Sequence, residues 1–282
     1  MNSPDSSGVA SIDPLYPEAR RTVFPSATVS ASPISEFFEW FGDLGMFFWR
    51  VVRAAVTPPF ELGELFRQLD EIGSKSLPLV ALAGAATGVV LSLQARFSLT
   101  RFGAKSLLPA AIVFSIVRET GPIITGLVIS GRVGAGIGAE LATMKVTEQI
   151  DAIEASAVNP YRLLAATRIL ACILMVPFLT LAADFCGVVM GWVAQTLVEP
   201  VSFHEFINSG FKGAGFNDLL PPTLKTAVFG LIIGLVACFQ GMRTRGGAAG
   251  VGRAATSSVV LSSLFVILAD VVLVKFITIF FP

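Results

Sequence analysis

From Leu77 onward the chain alternates long apolar runs with short polar breaks; ahead of that point it does neither. Five runs read as membrane spans, since an α-helix needs about 20 apolar residues to cross the hydrocarbon core. They are Leu77 to about Phe97, Leu107 to Ile129, Ile169 to Val193, Thr226 to Gln240 and Val259 to Phe281. Residues 1–35 are rich in Ser and Pro and hold no apolar stretch or secretory-signal pattern, which predicts a retained, disordered cytoplasmic tail. Residues 36–75 carry Phe37, Phe38, Trp40, Phe41, Phe47, Phe48 and Trp49, interrupted by Glu39, Asp43, Arg50 and Arg53. Aromatics with flanking arginines suit an amphipathic helix lying in the headgroup layer, and Pro58-Pro59 breaks it. The expectation is therefore an all-α integral membrane protein: a tail over 1–35, an interfacial region over 36–75 and a five-helix domain over 76–282.

Between the second and third spans the period changes. Val146, Ile150, Ile153 and Ala157 recur at helical spacing on one face, with Thr147, Asp151 and Glu154 opposite and Glu148 beside them. This predicts an amphipathic, acidic helix over about 140–157, stopped by Asn159-Pro160. Such a helix suits a groove in another protein. Glycines four apart (Gly84/Gly88, Gly134/Gly138, Gly187/Gly191, Gly230/Gly234) predict close helix–helix approach in lipid.

Composition agrees: 54% of residues are hydrophobic and 14% charged, against about a quarter charged in soluble domains. Net charge is zero, so nothing favours nucleic acid as a partner. One His and three Cys inside apolar segments leave little for metal, disulfide or acid–base chemistry. No glycine run ends in G-K-[ST] or follows a strand, so the chain has no phosphate-binding loop and no ATPase motif of its own. Arginines and lysines crowd the connections after the second and fourth spans and the stretch before the first, which predicts a cytoplasmic N-terminus and an outside C-terminus. Ionisable residues inside spans are functional candidates. Arg118 and Glu119 point in different directions near the middle of the second span, and Gly121-Pro122 frees a backbone carbonyl beside them. They form either a polar break in the wall of a central cavity or an interhelical ion pair with Lys225 or Asp184. Asp184 and Asp270 read as interhelical hydrogen-bond partners near an interface, and His204 as an ordinary surface residue.

The stretch RETGPIITGLVISGRVGAGIGAELATMKVTEQIDAIEASAVNP resembles the MlaE/YrbE pattern R-E-x-G-P, G-R-x-G, A-E, M-x-x-x-E-Q-[IL] and [ND]-P. VPFLTLAADFCG, LKTAVFGLIIGLVACFQGMRTRGGAAGVGRAATSSVV and the Asp270 helix continue the likeness, which covers about residues 36–282. Ala155-Ser156 departs from it where many relatives carry larger apolar residues. The resemblance implies an MlaE-type ABC permease without catalytic residues, working as a homodimer around a lipid cavity. It implies a cytoplasmic ATPase that binds ATP and Mg, an MCE-domain protein on the far side and phospholipid as cargo, in a bacterial inner membrane. Arg118, Glu119, Leu91, Ala95, Leu99 and Phe102 would line the cavity; Glu140, Glu148, Gln149, Asp151 and Glu154 would contact the ATPase. Two other classes stand beside this reading: an ion-coupled secondary transporter using Glu119 and Asp184, and a membrane transferase, for which His204 lacks companions.

Overall fold

The computed structural model describes residues 33–58, 61–212 and 216–280, and among these it is helical with no strand. Eight helical elements follow in order: α1 (Pro33–Val56), α2 (Leu62–Arg101), α3 (Lys105–Val146), α4 (Gln149–Ala155), α5 (Tyr161–Thr196), α6 (Phe203–Gly210), α7 (Phe216–Met242) and α8 (Gly247–Phe280). Of these α2, α3, α5, α7 and α8 are long and apolar enough to cross a membrane. The tail expected over 1–35 lies outside the described residues, except that α1 begins at Pro33. Residues through Gly42 form one unit and those from Asp43 a second. In the first, the Trp40 and Phe41 rings meet edge-on at 5.1 Å.

Helix ends depart from the sequence boundaries in one direction: the helices outrun their apolar cores. Within 36–75, α1 stops at Val56, as the break at Pro58-Pro59 predicts, and the residues from Leu62 already belong to the helix of the first span. The second span does not end at Ile129. Its helix continues through the glycine run to Val146, about 63 Å in all, twice the thickness of a hydrocarbon core. Consequently no single helix covers 140–157. Hydropathy registers only the lipid-immersed part of a helix, whereas the hydrogen-bond ladder runs on until a breaker stops it.

Small residues set the helix spacing. Gly88 lies so close to the Gly187 carbonyl that a β-carbon would overlap it, and Gly84 meets the Ala183 backbone in the same way. The two expected glycine pairs thus face each other across the α2–α5 seam, where any side chain would force the backbones apart. Gly230 and Gly234 meet Cys172 and Ile169 of α5, and Gly134 and Gly138 meet Ser262 and Ser258 of α8. At the end of the bundle remote from α4, Phe206 of α6 is fully buried among Ile112, Val113 and Ile116 of α3 and Val188 of α5. Ser202 caps α6 by accepting from the Glu205 N–H at 3.2 Å. At the α4 end, Phe47 of α1 packs edge-on against Tyr161 and Phe239, and Asp43 pairs with Arg243 at 3.0 Å. Met46, Trp49 and Val56 on the rest of α1 stay exposed.

Candidate functional site

Helix α3 leaves α-geometry at Ile116–Thr120, one wide π turn that carries Arg118 and Glu119. Such turns recur at functional sites because they turn side chains off the regular helix face. Pro122 follows and has no N–H to donate, so a carbonyl one turn back needs another partner. Lys225 of α7 supplies it: its ammonium donates to the Arg118 carbonyl at 3.1 Å. The same ammonium lies 3.0 Å from Glu119 Oε2 and 3.0 Å from Asp270 Oδ1 of α8. A Lys side chain 2% exposed needs such company, since an unpaired buried charge costs several kcal/mol. One ammonium therefore joins three membrane helices.

Beside this joint is a cavity of about 400 Å³. Its polar lining comes from Ser115, Arg118, Glu119, Lys225 and Thr278, and its apolar lining from Phe114, Pro222, Val274 and Ile277. It is amphipathic, combining charged groups with hydrocarbon. Glu119 is thus in an interhelical ion pair with Lys225, and both Arg118 and Glu119 line this cavity. The other expected wall residues are elsewhere. Leu91, Ala95 and Leu99 pack against the core around Phe206, and Phe102 is 82% exposed at the end of α2. They share a face of α2, as their spacing predicts, but that face meets the outer part of α3 and α6.

Asp270 is an interhelical partner, as its position predicted: it is the second carboxylate on Lys225. Asp184 differs from expectation. It is 6% exposed against Gly121, and neither carboxylate oxygen has a hydrogen-bond partner among the described residues. His204 is exposed on α6, its Nε2 2.9 Å from the Asn208 side chain.

At the α4 end the chain makes two left-handed turns. Glu148 has φ +60° and Ala157 φ +61°, and between them α4 spans Gln149–Ala155. Ile150, 4% exposed, anchors this short helix to the bundle, and Lys145 ties it back to Asp151 at 2.7 Å. Glu148, Gln149, Asp151 and Glu154 all lie exposed on it. Just before α5 the Asn159 side-chain oxygen accepts from the Tyr161 N–H at 2.9 Å, with Pro160 at the N-cap, where no donor is needed. Glu140 is not part of α4. It belongs to α3 and pairs at 2.8 Å with Arg168, whose side chain is 1% exposed. A buried guanidinium on α5 recruits the nearest carboxylate, and the sequence periodicity did not register that demand.

Charge position was a usable signal for Lys225, Asp270 and Arg168, because each lies in or beside an apolar run. Nothing in the sequence marked Phe114, Pro222, Val274 and Ile277 as a common lining, because apolar residues on three helices carry no pairing information.

The family model described as Permease MlaE matches residues 65–276 of this chain. A probable ABC transporter permease protein of Rickettsia typhi is 37% identical over 235 residues, covering 83% of this chain and 91% of that protein. A probable ABC transporter permease protein of Synechocystis is 33% identical over 203 residues, covering 72% of this chain and 77% of its own length. The chloroplastic protein TRIGALACTOSYLDIACYLGLYCEROL 1 of Arabidopsis thaliana is 33% identical over 210 residues, 74% of this chain and 60% of its own.

Proposed function

This chain belongs to the MlaE permease family, and on that footing we propose that it is the transmembrane subunit of an ABC transporter that moves phospholipids. The observation that carries the cargo is the amphipathic cavity: charged groups on Arg118, Glu119 and Lys225 suit a headgroup, and Phe114, Val274 and Ile277 suit acyl chains. The Arabidopsis relative has a glycolipid in its name, which supports a lipid reading for the family member here. Membership of an ABC permease family sets the ion-coupled alternative aside.

ATP and Mg bind to a separate cytoplasmic ATPase, a second permease copy completes the transport path, and an MCE-domain protein exchanges lipid on the periplasmic side of a bacterial inner membrane. The bias of Lys and Arg puts the N-terminus and the α4 end in the cytoplasm and the C-terminus outside. In this arrangement α1 lies in the headgroup layer, with Trp49 and Met46 facing it. The exposed face of α4, with Glu148, Gln149, Asp151 and Glu154, docks in a groove of the ATPase. Closure of the ATPases pushes α4, and α3 transmits the push because it is one helix from Val146 to Lys105. The π turn at Arg118 and the Lys225 joint yield to that push, and the cavity changes volume against the lipid.

The test is affinity purification of the tagged chain in mild detergent, with mass spectrometry of co-purifying proteins and lipids. An ATPase and a bound phospholipid are expected, the ATPase being lost on Glu148→Lys with Asp151→Lys. A stable chain with neither partner would overturn the reading.

A further inference from the structure

A second cavity, of about 310 Å³, opens between α2 and α3 near their α4 ends. Ile72, Val133 and Ile137 form its apolar floor, and Glu71, Arg132 and Glu140 carry its charge. It takes no part in the transport cavity. Arg132 stands on a second π turn of α3, Ser130–Gly134, which turns it toward α2. There it donates to Ser76 Oγ at 2.5 Å, and among the described residues no carboxylate pairs with it. The two acids are engaged elsewhere: Glu71 with Lys75 at 2.8 Å and Glu140 Oε1 with Arg168 at 2.8 Å. The cavity's one lining cation, the Arg132 guanidinium, makes no ion pair within 4 Å among the described residues, although its charge acts on Glu71, and its planar fork suits a phosphate. Gly136 also lines it, with nothing within 4 Å of where a β-carbon would stand.

Depth fixes the source of the phosphate. Ser76 immediately precedes the apolar run that starts at Leu77, and Arg132 follows the run that ends at Ile129. The cavity therefore lies where the apolar lengths of two adjacent membrane helices end, at headgroup level. A phosphodiester reaching Arg132 brings its headgroup alcohol between Glu71 and Glu140. Those carboxylates repel a second anion and attract an ammonium: the Glu71–Lys75 pair is half-exposed and easily exchanged, and Glu140 keeps Oε2 available.

We propose that this cavity is a second lipid site, binding the phosphoethanolamine headgroup of a phospholipid in the leaflet on the α4 side, with Arg132 on the phosphate and Glu71 and Glu140 on the ammonium. It is independent of the cargo that the transport cavity takes, and it is read by binding, not by transport.

The experiment reconstitutes the full-length chain in vesicles of mixed phosphatidylethanolamine and phosphatidylglycerol, doped with either lipid carrying a diazirine on its acyl chain next to the glycerol. After illumination, peptide mapping compares adducts on residues 68–76 and 130–140 with adducts on 274–278. Adducts on the first two segments are expected about tenfold more often from the phosphatidylethanolamine probe. Arg132→Gln lowers them to the phosphatidylglycerol level. Gly136→Leu, whose β-carbon meets nothing within 4 Å, is expected to keep the thermal stability of the wild type and to abolish them. Adducts at 274–278 stay unchanged in both variants. Equal labelling by the two probes, or labelling that survives Gly136→Leu, overturns the site, whereas loss confined to 274–278 would count against the transport cavity and not against this one.

Discussion

Replacing Lys225 by methionine removes the ammonium that joins α3, α7 and α8. The side chain is 2% exposed, and its partner Asp270 11%, so the substitution strands a carboxylate in the bundle. The Arg118 carbonyl loses its donor as well. Glu119 is 50% exposed and turns to the cavity, so its share of the loss is small. Removing one member of a buried pair costs about 3–5 kcal/mol, and the residual exposure of Asp270 puts this case near 3 kcal/mol. That is roughly a 100-fold fall in the ratio of folded to unfolded protein. Replacing the buried pair itself by apolar side chains is close to neutral, so Lys225→Met with Asp270→Leu should recover all but about 1 kcal/mol. The assay is unfolding of the purified chain in mixed micelles by increasing SDS fraction, followed by tryptophan fluorescence or circular dichroism. A single variant within about 0.5 kcal/mol of wild type would refute the reasoning, as would a double variant less stable than the single one.

Other regions give sharper structural tests. Gly88→Val drives its side chain into the Gly187 carbonyl, where the backbone cannot give, and should cost about 1–3 kcal/mol in the same assay. Gly45→Ala has nothing within 4 Å and should be neutral or slightly stabilising by helix propensity. At the end of the bundle remote from α4, Glu199 pairs with Lys105 at 2.9 Å and Arg96 at 3.1 Å, and these cations hold its carboxyl below the ordinary 4.5. A lowered folded-state value means that the contribution is present above pH 4.5 and fades as the pH falls through the folded value. Thermal scans of wild type and Glu199→Gln should therefore differ at neutral pH and converge in acid, and a gap that widens in acid would contradict the assignment.

How far the fold was legible depended on what each segment must satisfy. The five spans were readable because lipid demands apolar length, and the α2–α5 seam was readable because glycines four apart leave few alternatives to close approach. Helix ends were not, since the ladder in α3 runs past Ile129 through a glycine run whose hydropathy looks like a loop. The amphipathic stripe Val146–Ala157 was real as a pattern but spans a break: Glu148 in a left-handed conformation divides it, and only Ile150 is deeply buried. Charged residues gave the most. Arg118, Glu119, Lys225 and Asp270 announced a polar joint in the membrane, but which acid meets which base is a three-helix property. Arg168 with Glu140 and Arg132 beside Ser76 were missed for the same reason: their partners are 28 and 56 residues away, on other helices.

Phospholipid in the cavity at Arg118 is the central claim, and photo-crosslinking tests it most directly. A benzoylphenylalanine at Ile277, in the apolar lining, and one at Phe178, exposed on the outside of α5, would be illuminated in the purified complex with its ATPase, with and without ATP and Mg. The account predicts a phospholipid adduct at Ile277 that falls during ATP turnover and an adduct at Phe178 that does not. Equal adducts at the two positions, both indifferent to ATP, would contradict it.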